Sequence, residues 1–205
     1  MSTPTDRDMI ADLTFPADET TDFARLRTRL AVEADREGLL DVSYRTMDSP
    51  IGSLLLAATP AGLARVAFEC ENHDDVLAEL SSAVSPRILR SPRGVDDVAR
   101  QLDEYFNGRR RVFEVPIDLR LAKGFRRAVL EHLREIPYGQ RESYTVVATA
   151  VGNPRAVRAA GSACATNPVP LVVPCHRVVR RDGTYGQYRG GPEAKHALLT
   201  MEGAE

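Results

Sequence analysis

The chain has 205 residues, of which 43% are hydrophobic and 27% are charged, and these are the proportions of an ordinary soluble protein. This length accommodates one good-sized domain or two small ones. No apolar run approaches membrane-spanning length, and the N-terminus lacks a basic segment followed by an apolar one. We therefore expect neither a membrane protein nor a secreted one, and the default location is the cytoplasm.

The two halves of the chain carry opposite charge. Residues 1–104 hold 11 basic and 20 acidic side chains, a net charge of −9, whereas residues 105–205 hold 16 and 9, a net charge of +7. A basic half suits a polyanionic partner, because Lys and Arg contacts to phosphates supply affinity that does not depend on sequence. A merely solvated basic surface is the alternative interpretation.

The cysteines and histidines indicate neither a disulfide framework nor a metal site. The three cysteines are an odd and sparse set: Cys70, Cys164 and Cys175. Such a set argues against disulfide pairing. No two cysteines have metal-ligand spacing and the four histidines are scattered, so we expect no bound metal.

The first 41 residues form an N-terminal extension. Residues 1–20 are polar and interrupted by prolines, which is typical of a mobile tail. Apolar residues then recur at helical spacing: Phe23, Leu26, Leu30 and Ala34. This pattern predicts an amphipathic helix over residues 21–37 that ends at Gly38.

Residues 42–108 are predicted to form a small α/β domain. Alternating and buried apolar runs predict an antiparallel meander of three strands: Val42–Met47, Leu54–Ala58 and Leu63–Phe68. Residues 74–82 are predicted to be helical and residues 86–94 to be an extended link. A second helix carries Val95, Val98, Leu102 and Tyr105 on one face. Residues 109–123, which begin with three arginines, are predicted to be a connector.

Residues 124–205 are predicted to form a mainly helical C-terminal domain. A helix begins at Gly124, and helix–turn–helix spacing follows over residues 144–166, with Ser143 as the N-cap. Gly152 and Asn153 supply the turn, and Pro154 is placed in the first turn of the second helix. The predicted fold class is therefore α/β in the broad sense, and α+β in detail. A small antiparallel-sheet domain with helices is followed by a mainly helical domain with a helix–turn–helix.

The second helix of this motif combines small residues with two arginines. Its small residues are Ala156, Ala159, Ala160, Gly161, Ser162, Ala163 and Ala165. Small side chains let a helix backbone approach a partner closely, although a tightly packed internal helix has the same composition. Arg155 and Arg158, predicted to lie one turn apart on the same face, favour a functional role.

Cys175 lies between Pro174 and His176, directly after an apolar run. The thiolate is the nucleophilic form of cysteine, and a neighbouring imidazole is the usual means of generating it near neutral pH. Pro174 has a fixed φ and stiffens the approach to the sulfur. The alternative is that Cys175 is a small buried apolar residue with an ordinary polar neighbour.

Four segments, in this order along the chain, together resemble a known family. They are Gly152-Asn153-Pro154-Arg155-Ala156-Val157-Arg158-Ala159, Asn167-Pro168-Val169-Pro170, Pro174-Cys175-His176-Arg177-Val178 and Tyr188-Arg189-Gly190-Gly191. The family is that of the O6-alkylguanine-DNA alkyltransferases, also called methylated-DNA–protein-cysteine methyltransferases. The resemblance is dense over residues 100–203 and loose over residues 42–99. Some members carry a structural zinc in the N-terminal part, but no matching Cys/His set is present here.

The resemblance implies a single-turnover DNA repair protein that needs no cofactor. Cys175 would accept the alkyl group from O6-alkylguanine, and from O4-alkylthymine as well. His176 would take the thiol proton through a water molecule, and Glu202 would orient the imidazole. Tyr144 would protonate the leaving base, and Asn167 would brace the recognition helix against the active-site loop. From the residues alone, the commoner role for Tyr144 is that of a core aromatic with its hydroxyl satisfied, and an Asn before Pro, as at Asn167, is a routine turn former.

The resemblance also implies how double-stranded DNA and the flipped base are held. The second helix would enter the minor groove, and Arg158 would replace the extruded nucleotide in the base stack. The other DNA-binding residues would be Arg155, Ala159 and Ser162. The pocket for the base would be formed by Tyr188, Arg189, Val178, Cys164 and Gly190. No membrane and no obligate protein partner is expected.

Two other functions fit parts of the sequence. A non-catalytic helix–turn–helix module could recognise alkylated DNA without repairing it, but the presence of Cys175 argues against this. A Cys-His acyl transferase or protease is the other alternative. It leaves the basic half and the arginine-bearing helix without a purpose, and no oxyanion-hole motif is evident.

Overall fold

An antiparallel meander of three strands begins the part of the chain that carries the site. The computed structural model of the protein describes residues 17–92 and 94–204. Strands β1 (Val42–Met47), β2 (Leu54–Thr59) and β3 (Gly62–Phe68) pair in sequence order, as predicted. Residues 86–94 are predicted to be a mostly extended link, and part of this link forms a strand. Ile88–Arg90 form β4, which pairs in parallel with β1 at the sheet edge, giving the order β3-β2-β1-β4.

Strand β2 is buried on both faces, which explains its unbroken run of apolar residues. Leu54 and Leu56 face the main core, while Leu55 faces a smaller cluster formed with helix α2 (His73–Ala83). The Asn72 side chain accepts a hydrogen bond from the Asp74 amide at the start of α2. Helix α2 therefore covers one face of the sheet and leaves the other for the rest of the chain.

The other face of the sheet packs on helix α3 (Asp96–Phe106) and on the C-terminal part. Val98, Leu102 and Tyr105 are buried in the main core, as their helical spacing predicted. The connector then returns along β3, where the Leu63 amide donates to the Pro116 carbonyl and the Asp118 amide donates to the Leu63 carbonyl. These two bonds attach the connector to the edge of the sheet that β3 forms.

The C-terminal part contains four helices and a short two-stranded sheet. The helices are α4 (Gly124–Leu133), α5 (Tyr144–Ala150), α6 (Val157–Ala165) and α7 (Gly191–Glu202). Strand β5 (Glu142–Ser143) pairs in parallel with β6 (Val178–Val179). The Ser143 hydroxyl accepts from the Val146 amide, so the predicted N-cap of α5 is confirmed.

The second helix of the helix–turn–helix begins later than predicted. Pro154 and Arg155 lie in the turn that precedes α6, not in its first turn, so Arg155 and Arg158 do not share a helical face. The hydrogen bonds explain the difference. The Asn153 amide donates back to Ala148, and the Ala156 amide donates to Asn153, so the chain completes a turn before helical bonding starts.

Helix α1 (Ala17–Arg36) belongs to a separate unit of residues 1–39, whereas residues 40–205 form the second unit. The helix starts four residues before the predicted position and ends at Arg36, one residue before the predicted end, with Gly38 at φ 66°. Leu26 and Leu30 are 57% and 58% exposed. Within residues 17–92 and 94–204, none of the helices is long and apolar enough to cross a bilayer. The predicted tail lies largely outside the described residues, and the division at residues 108 and 124 stays a prediction.

Gly62 provides a test of the attachment between β3 and the connector. Its φ is 135°, and a Cβ there would collide with the Pro116 backbone. We expect Gly62→Ala to lower the free energy of unfolding by about 3 kcal/mol, because a strained φ and a backbone shift are both required. Gly108→Ala is the matched control, since Gly108 has φ 69° with open space around its Cβ position. It should cost about 1 kcal/mol. Equal losses in urea denaturation of the two variants would contradict the proposed collision.

Candidate active site

Cys175 is held in a short helical turn between two constrained segments. The turn comprises Cys175–Arg177 and leads directly into β6. Before it, the Cys175 amide donates to the Val173 carbonyl at 2.8 Å and the Val173 amide donates to the Val169 carbonyl at 2.9 Å. Leu171, within this bend, has φ 72°, a conformation that L-residues seldom adopt. The sulfur therefore sits on a backbone with little freedom, and only 2% of the Cys175 surface is exposed.

Asn167 links the end of α6 to the cysteine. Its side chain is fully buried, and its Oδ1 accepts from the Val169 amide at 3.0 Å. Its Nδ2 donates both to the Val173 carbonyl at 2.8 Å and to Cys175 Sγ at 3.1 Å. One amide group thus fixes the bend and provides a hydrogen bond to the sulfur.

The Glu202 carboxylate, at the end of α7, forms hydrogen bonds or ion pairs with three side chains. His176 Nε2 lies 2.9 Å from Oε1, and Arg177 binds the carboxylate in bidentate fashion at 2.8 and 2.9 Å. The Tyr105 hydroxyl on α3 donates to the same Oε1 at 2.6 Å. His176 Nδ1 is buried and has no hydrogen-bond partner among the described residues.

This network sets the protonation states of its members. Burial acts to raise the pKa of Glu202, but the hydrogen bonds from His176 and Arg177 outweigh it and hold the pKa well below its ordinary value. Burial lowers the pKa of His176 despite the bond to Glu202. The imidazole is therefore neutral at neutral pH, and the carboxylate fixes its proton on Nε2. Nδ1 is left as a proton acceptor.

Burial raises the pKa of the Cys175 thiol, and several groups oppose that effect. The hydrogen bond from Asn167 is the largest of them, followed by the charge of Lys195. The Lys195 side chain is fully buried, and its Nζ donates to the Val178 carbonyl at 2.5 Å and lies 5.9 Å from the centroid of the Tyr185 ring. The thiolate is thus costly to form, and the surrounding donors and cations are placed to stabilise it.

Tyr144 is the first residue of α5, and its hydroxyl points towards the loop of residues 185–190. A Cβ on Gly186 would collide with the Tyr144 hydroxyl, so the loop backbone passes directly beside that oxygen. Burial raises the pKa of Tyr144 to about 12. The phenol is therefore protonated at neutral pH and can donate a hydrogen bond or a proton.

A cavity of about 470 Å³ opens beside this loop. It is lined by Ala165, Arg180, Tyr185, Gly186, Gln187, Tyr188, Arg189 and Pro192. Tyr188 connects the cavity to the network, because its ring packs edge-on against His176 with centroids 6.3 Å apart. Neither Cys175 nor Tyr144 is among the described residues that line the cavity.

The structure brings together most of the predicted site residues. Cys175, His176, Glu202 and Asn167 form one connected group, which the Tyr188 ring joins through its packing on His176. The remaining predicted pocket residues are Val178 and Cys164, both buried, and Arg189 and Gly190, both partly exposed in the loop. Arg158, Ala159 and Ser162 lie exposed on α6, whereas Arg155 is exposed in the turn before it.

Sequence reasoning missed two members of the network. Tyr105 was predicted only as a core residue of α3, and nothing local indicated that its hydroxyl reaches Glu202, 97 positions away. The burial of Lys195 was not predicted either. Its place in a helix face otherwise occupied by Ala194, Leu198 and Leu199 was the signal available, since a lysine among buried positions has to meet a polar partner.

The Glu202 carboxylate should contribute to the free energy of unfolding as well as to the geometry of the site. Glu202→Gln leaves the Arg177 guanidinium, which is 6% exposed, without its counter-charge. We expect the free energy of unfolding to fall by about 3–5 kcal/mol, the cost of an unpaired buried charge. Glu193→Gln, on the exposed face of the same helix, is the control and should cost less than about 0.5 kcal/mol. Urea denaturation that finds similar losses for both variants would show that the network contributes little.

Comparison with known proteins identifies the family. The model of the 6-O-methylguanine DNA methyltransferase DNA-binding domain matches residues 124–204, and that of the same family's ribonuclease-like domain matches residues 42–119. The chain is 36% identical over 161 residues to the methylated-DNA–protein-cysteine methyltransferase of Mycolicibacterium paratuberculosis, covering 78% of this chain and 92% of that protein. It is 34% identical over 160 residues to the constitutive enzyme of Bacillus subtilis, covering 78% and 94% of the two chains.

Solved structures agree with the sequence comparisons. The crystal structure of Mycobacterium tuberculosis O6-methylguanine methyltransferase is 36% identical with a TM-score of 0.70, covering 80% of this chain and 93% of that one. A crystal structure of the Mycobacterium tuberculosis protein in complex with DNA gives a TM-score of 0.68 at 36% identity, covering 79% and 93%. The protein described here therefore belongs to the methylated-DNA–protein-cysteine methyltransferase family.

Proposed function

We propose that this protein repairs O6-alkylguanine in DNA, and O4-alkylthymine as well, by transferring the alkyl group to Cys175. The observation that carries the proposal is the arrangement of the nucleophile and its base. Cys175 Sγ accepts a hydrogen bond from Asn167, and the adjacent His176 is held by Glu202 with Nδ1 free to accept a proton. We infer that His176 activates the thiol through a bridging water molecule, with Asn167 and Lys195 opposing the effect of burial on the thiolate.

The transfer is a displacement at the alkyl carbon. The thiol proton passes through a water molecule to His176 Nδ1, and the resulting imidazolium is stabilised by the Glu202 carboxylate. The sulfur forms a bond to the alkyl carbon while the bond from that carbon to O6 breaks, and its electron pair remains on the base. Tyr144 gives its proton to the base as the alkyl group leaves. The proton from the thiol replaces the one from Tyr144, so the products are neutral guanine and a thioether.

The burial of Cys175 requires the lesion to leave the DNA duplex. O6 lies on the major-groove edge of a stacked base, and a sulfur with 2% exposure inside the protein cannot reach it while the base stays in the duplex. We propose that α6 enters the minor groove and that Arg158 fills the space left by the flipped nucleotide. Ala159 and Ser162 on α6, together with Arg155 in the preceding turn, would contact the DNA. Their exposure and the net charge of +7 on residues 105–205 support this.

We propose that the flipped base enters at the cavity beside residues 185–190 and reaches Cys175 past Tyr188, which connects this cavity to the His176 network. Tyr188 would pack on the base, and the Arg189 amide would donate to its oxygen. Carbonyl groups of Cys175 and Val178 would accept from its exocyclic amine, and Lys195 fixes the Val178 carbonyl from behind. Cys164 and Gly190 would complete the pocket and limit the size of the alkyl group.

Every step uses groups of the chain, so we propose no cofactor and no metal. The carbon–sulfur bond is stable and no residue is placed to break it, so each molecule acts once. We further propose that residues 42–108 and 124–205 are the two domains, joined by residues 109–123. Action in the cytoplasm on double-stranded DNA, without an obligate protein partner, completes the proposal.

Intact-mass measurement after incubation with a duplex that contains O6-methylguanine tests the reaction. We expect the wild-type protein to gain one CH₂ group, located on Cys175 by peptide mapping. Cys175→Ser should gain nothing and should bind the same duplex within about 3-fold of wild type, because the buried sulfur is not one of the proposed DNA contacts. An unchanged wild-type mass with retained binding would instead support a non-catalytic module that recognises alkylated DNA.

The role of Arg158 is separable from the chemistry. Arg158→Ala should slow repair of the duplex by about 100-fold, because the unstacking cost of a few kcal/mol is no longer offset by the inserted side chain. Reaction with free O6-alkylguanine base should be unchanged, since no base has to be flipped. Arg181→Ala, which removes another exposed arginine of the basic half, is the control. Equal slowing of both reactions would rule out a flipping role for Arg158.

A further inference from the structure

Three consecutive residues of the base-pocket loop rest on one segment of the N-terminal half, Phe68–Glu71, which we call the loop seat. The Tyr188 ring packs edge-on against Phe68, with centroids 5.4 Å apart. Arg189 Nε pairs with Glu71 Oε2 at 2.5 Å, and the Cys70 thiol donates to the Arg189 carbonyl at 3.5 Å. Gly190 lies so close to Phe68 that a Cβ there would be 2.8 Å from the ring.

Glu71 is itself held firmly within the seat. Its Oε1 accepts from the Phe68 amide at 2.9 Å, and its Oε2 accepts from Arg65 at 2.6 Å as well as from Arg189. The Arg65 side chain is only 4% exposed and that of Glu71 only 11%, so solvent screens the ion pair little. The Arg189 side chain is therefore paired with a carboxylate whose position is fixed by its other hydrogen bonds.

We propose that the loop seat positions the base-pocket loop for alkyl transfer, with Glu71 acting through Arg189 as a positioning residue. The inference rests on the proposed function, because it assigns a role in that reaction to a segment of the N-terminal half. Glu71 touches neither the sulfur nor the His176 network. It acts by holding the side chain of Arg189, while the Cys70 thiol holds the Arg189 carbonyl, so that the Arg189 amide stays placed to bind the guanine oxygen.

The geometry explains why such an anchor is required. The loop contains several exposed residues, and a short chain with few buried contacts samples many positions. A shift of about 1 Å in a group that positions substrate can cost about 100-fold in rate. The edge-on aromatic contact restricts the ring of Tyr188, and the ion pair restricts the residue that follows it.

Arg189→Gln is the cleanest test, because it removes the attachment and leaves the Arg65–Glu71 pair intact. We expect transfer from the free base and from duplex DNA to slow by the same factor, about 10-fold, with unchanged affinity for undamaged DNA. Loss of a flipping residue, by contrast, slows the duplex reaction alone. Arg189→Lys keeps the charge and should recover part of the rate. Wild-type rates in Arg189→Gln would overturn the proposal.

A double-mutant cycle tests whether Glu71 acts through Arg189. Glu71→Gln should slow transfer about 10-fold in the wild-type background and less than 2-fold in the Arg189→Gln background. Asp41→Asn is the matched control, because it removes another arginine pair of the N-terminal half, with Arg87, that does not touch the loop. It should leave the rate unchanged. Equal slowing by Glu71→Gln in both backgrounds would mean that Glu71 contributes only to folding.

Hydrogen exchange of the amides of residues 183–190 separates this proposal from the proposed function. Exchange should be faster in Arg189→Gln than in wild type, whether or not the protein transfers alkyl groups. If the wild-type protein gains no mass from alkylated DNA, the proposed function fails. Faster exchange in Arg189→Gln would still show that the loop seat holds the loop in place. Unchanged exchange in the variant would refute the seat itself.

Discussion

The carboxylate of Glu202 is the group on which both the fold and the site depend. It joins α3 through Tyr105, the nucleophile turn through His176 and Arg177, and its own helix α7. Its second oxygen also accepts from the Gly139 amide at 3.3 Å. A buried carboxylate is stable only when its lone pairs are satisfied by good donors, and here four groups supply them. The same bonds orient the His176 imidazole and connect the two halves of the chain. A change in the orientation of the imidazole would therefore disturb the packing between these halves.

In the proposed mechanism, groups of different chemical character share the stabilisation of the Cys175 thiolate. Burial in the main core raises the pKa of the Cys175 thiol and so disfavours the thiolate. The same burial shields the sulfur from solvent and from unrelated reactants. Asn167 offers a hydrogen bond to the sulfur, and Lys195 offers a nearby positive charge. His176 offers an acceptor for the proton, at Nδ1. Each contribution comes from a separate element: the end of α6, helix α7 and the turn itself.

Most of the elements and the connected site residues could be predicted from sequence, because their signals are local. Helical spacing located α3 and α4, alternation located β1, and the short motifs located Cys175, His176 and Asn167. The prediction failed where long-range pairing or turn hydrogen bonding decides. Strand β4 forms because its backbone pairs with the edge strand β1. Arg155 lies outside α6 because the backbone hydrogen bonds of Asn153 form a turn before the helix begins. Glu202 was found only through family resemblance, since as a helix-terminal carboxylate it has no distinguishing local pattern.

The N-terminal half therefore participates in the site although it contributes none of the reacting groups. It contacts the loop of residues 188–190 through Phe68–Glu71, with Glu71 paired to Arg189, while α3, which spans the boundary between the two halves, contributes Tyr105 to the Glu202 carboxylate. The Tyr105 bond helps to fix the carboxylate that orients His176, the residue that we propose as acceptor of the thiol proton, and the Glu71 pair holds the loop beside the cavity. A net charge of −9 over residues 1–104 would repel DNA, so this half is unsuited to the nucleic-acid surface. Its Glu71 carboxylate acts instead where it meets Arg189 of the C-terminal half, beside the cavity.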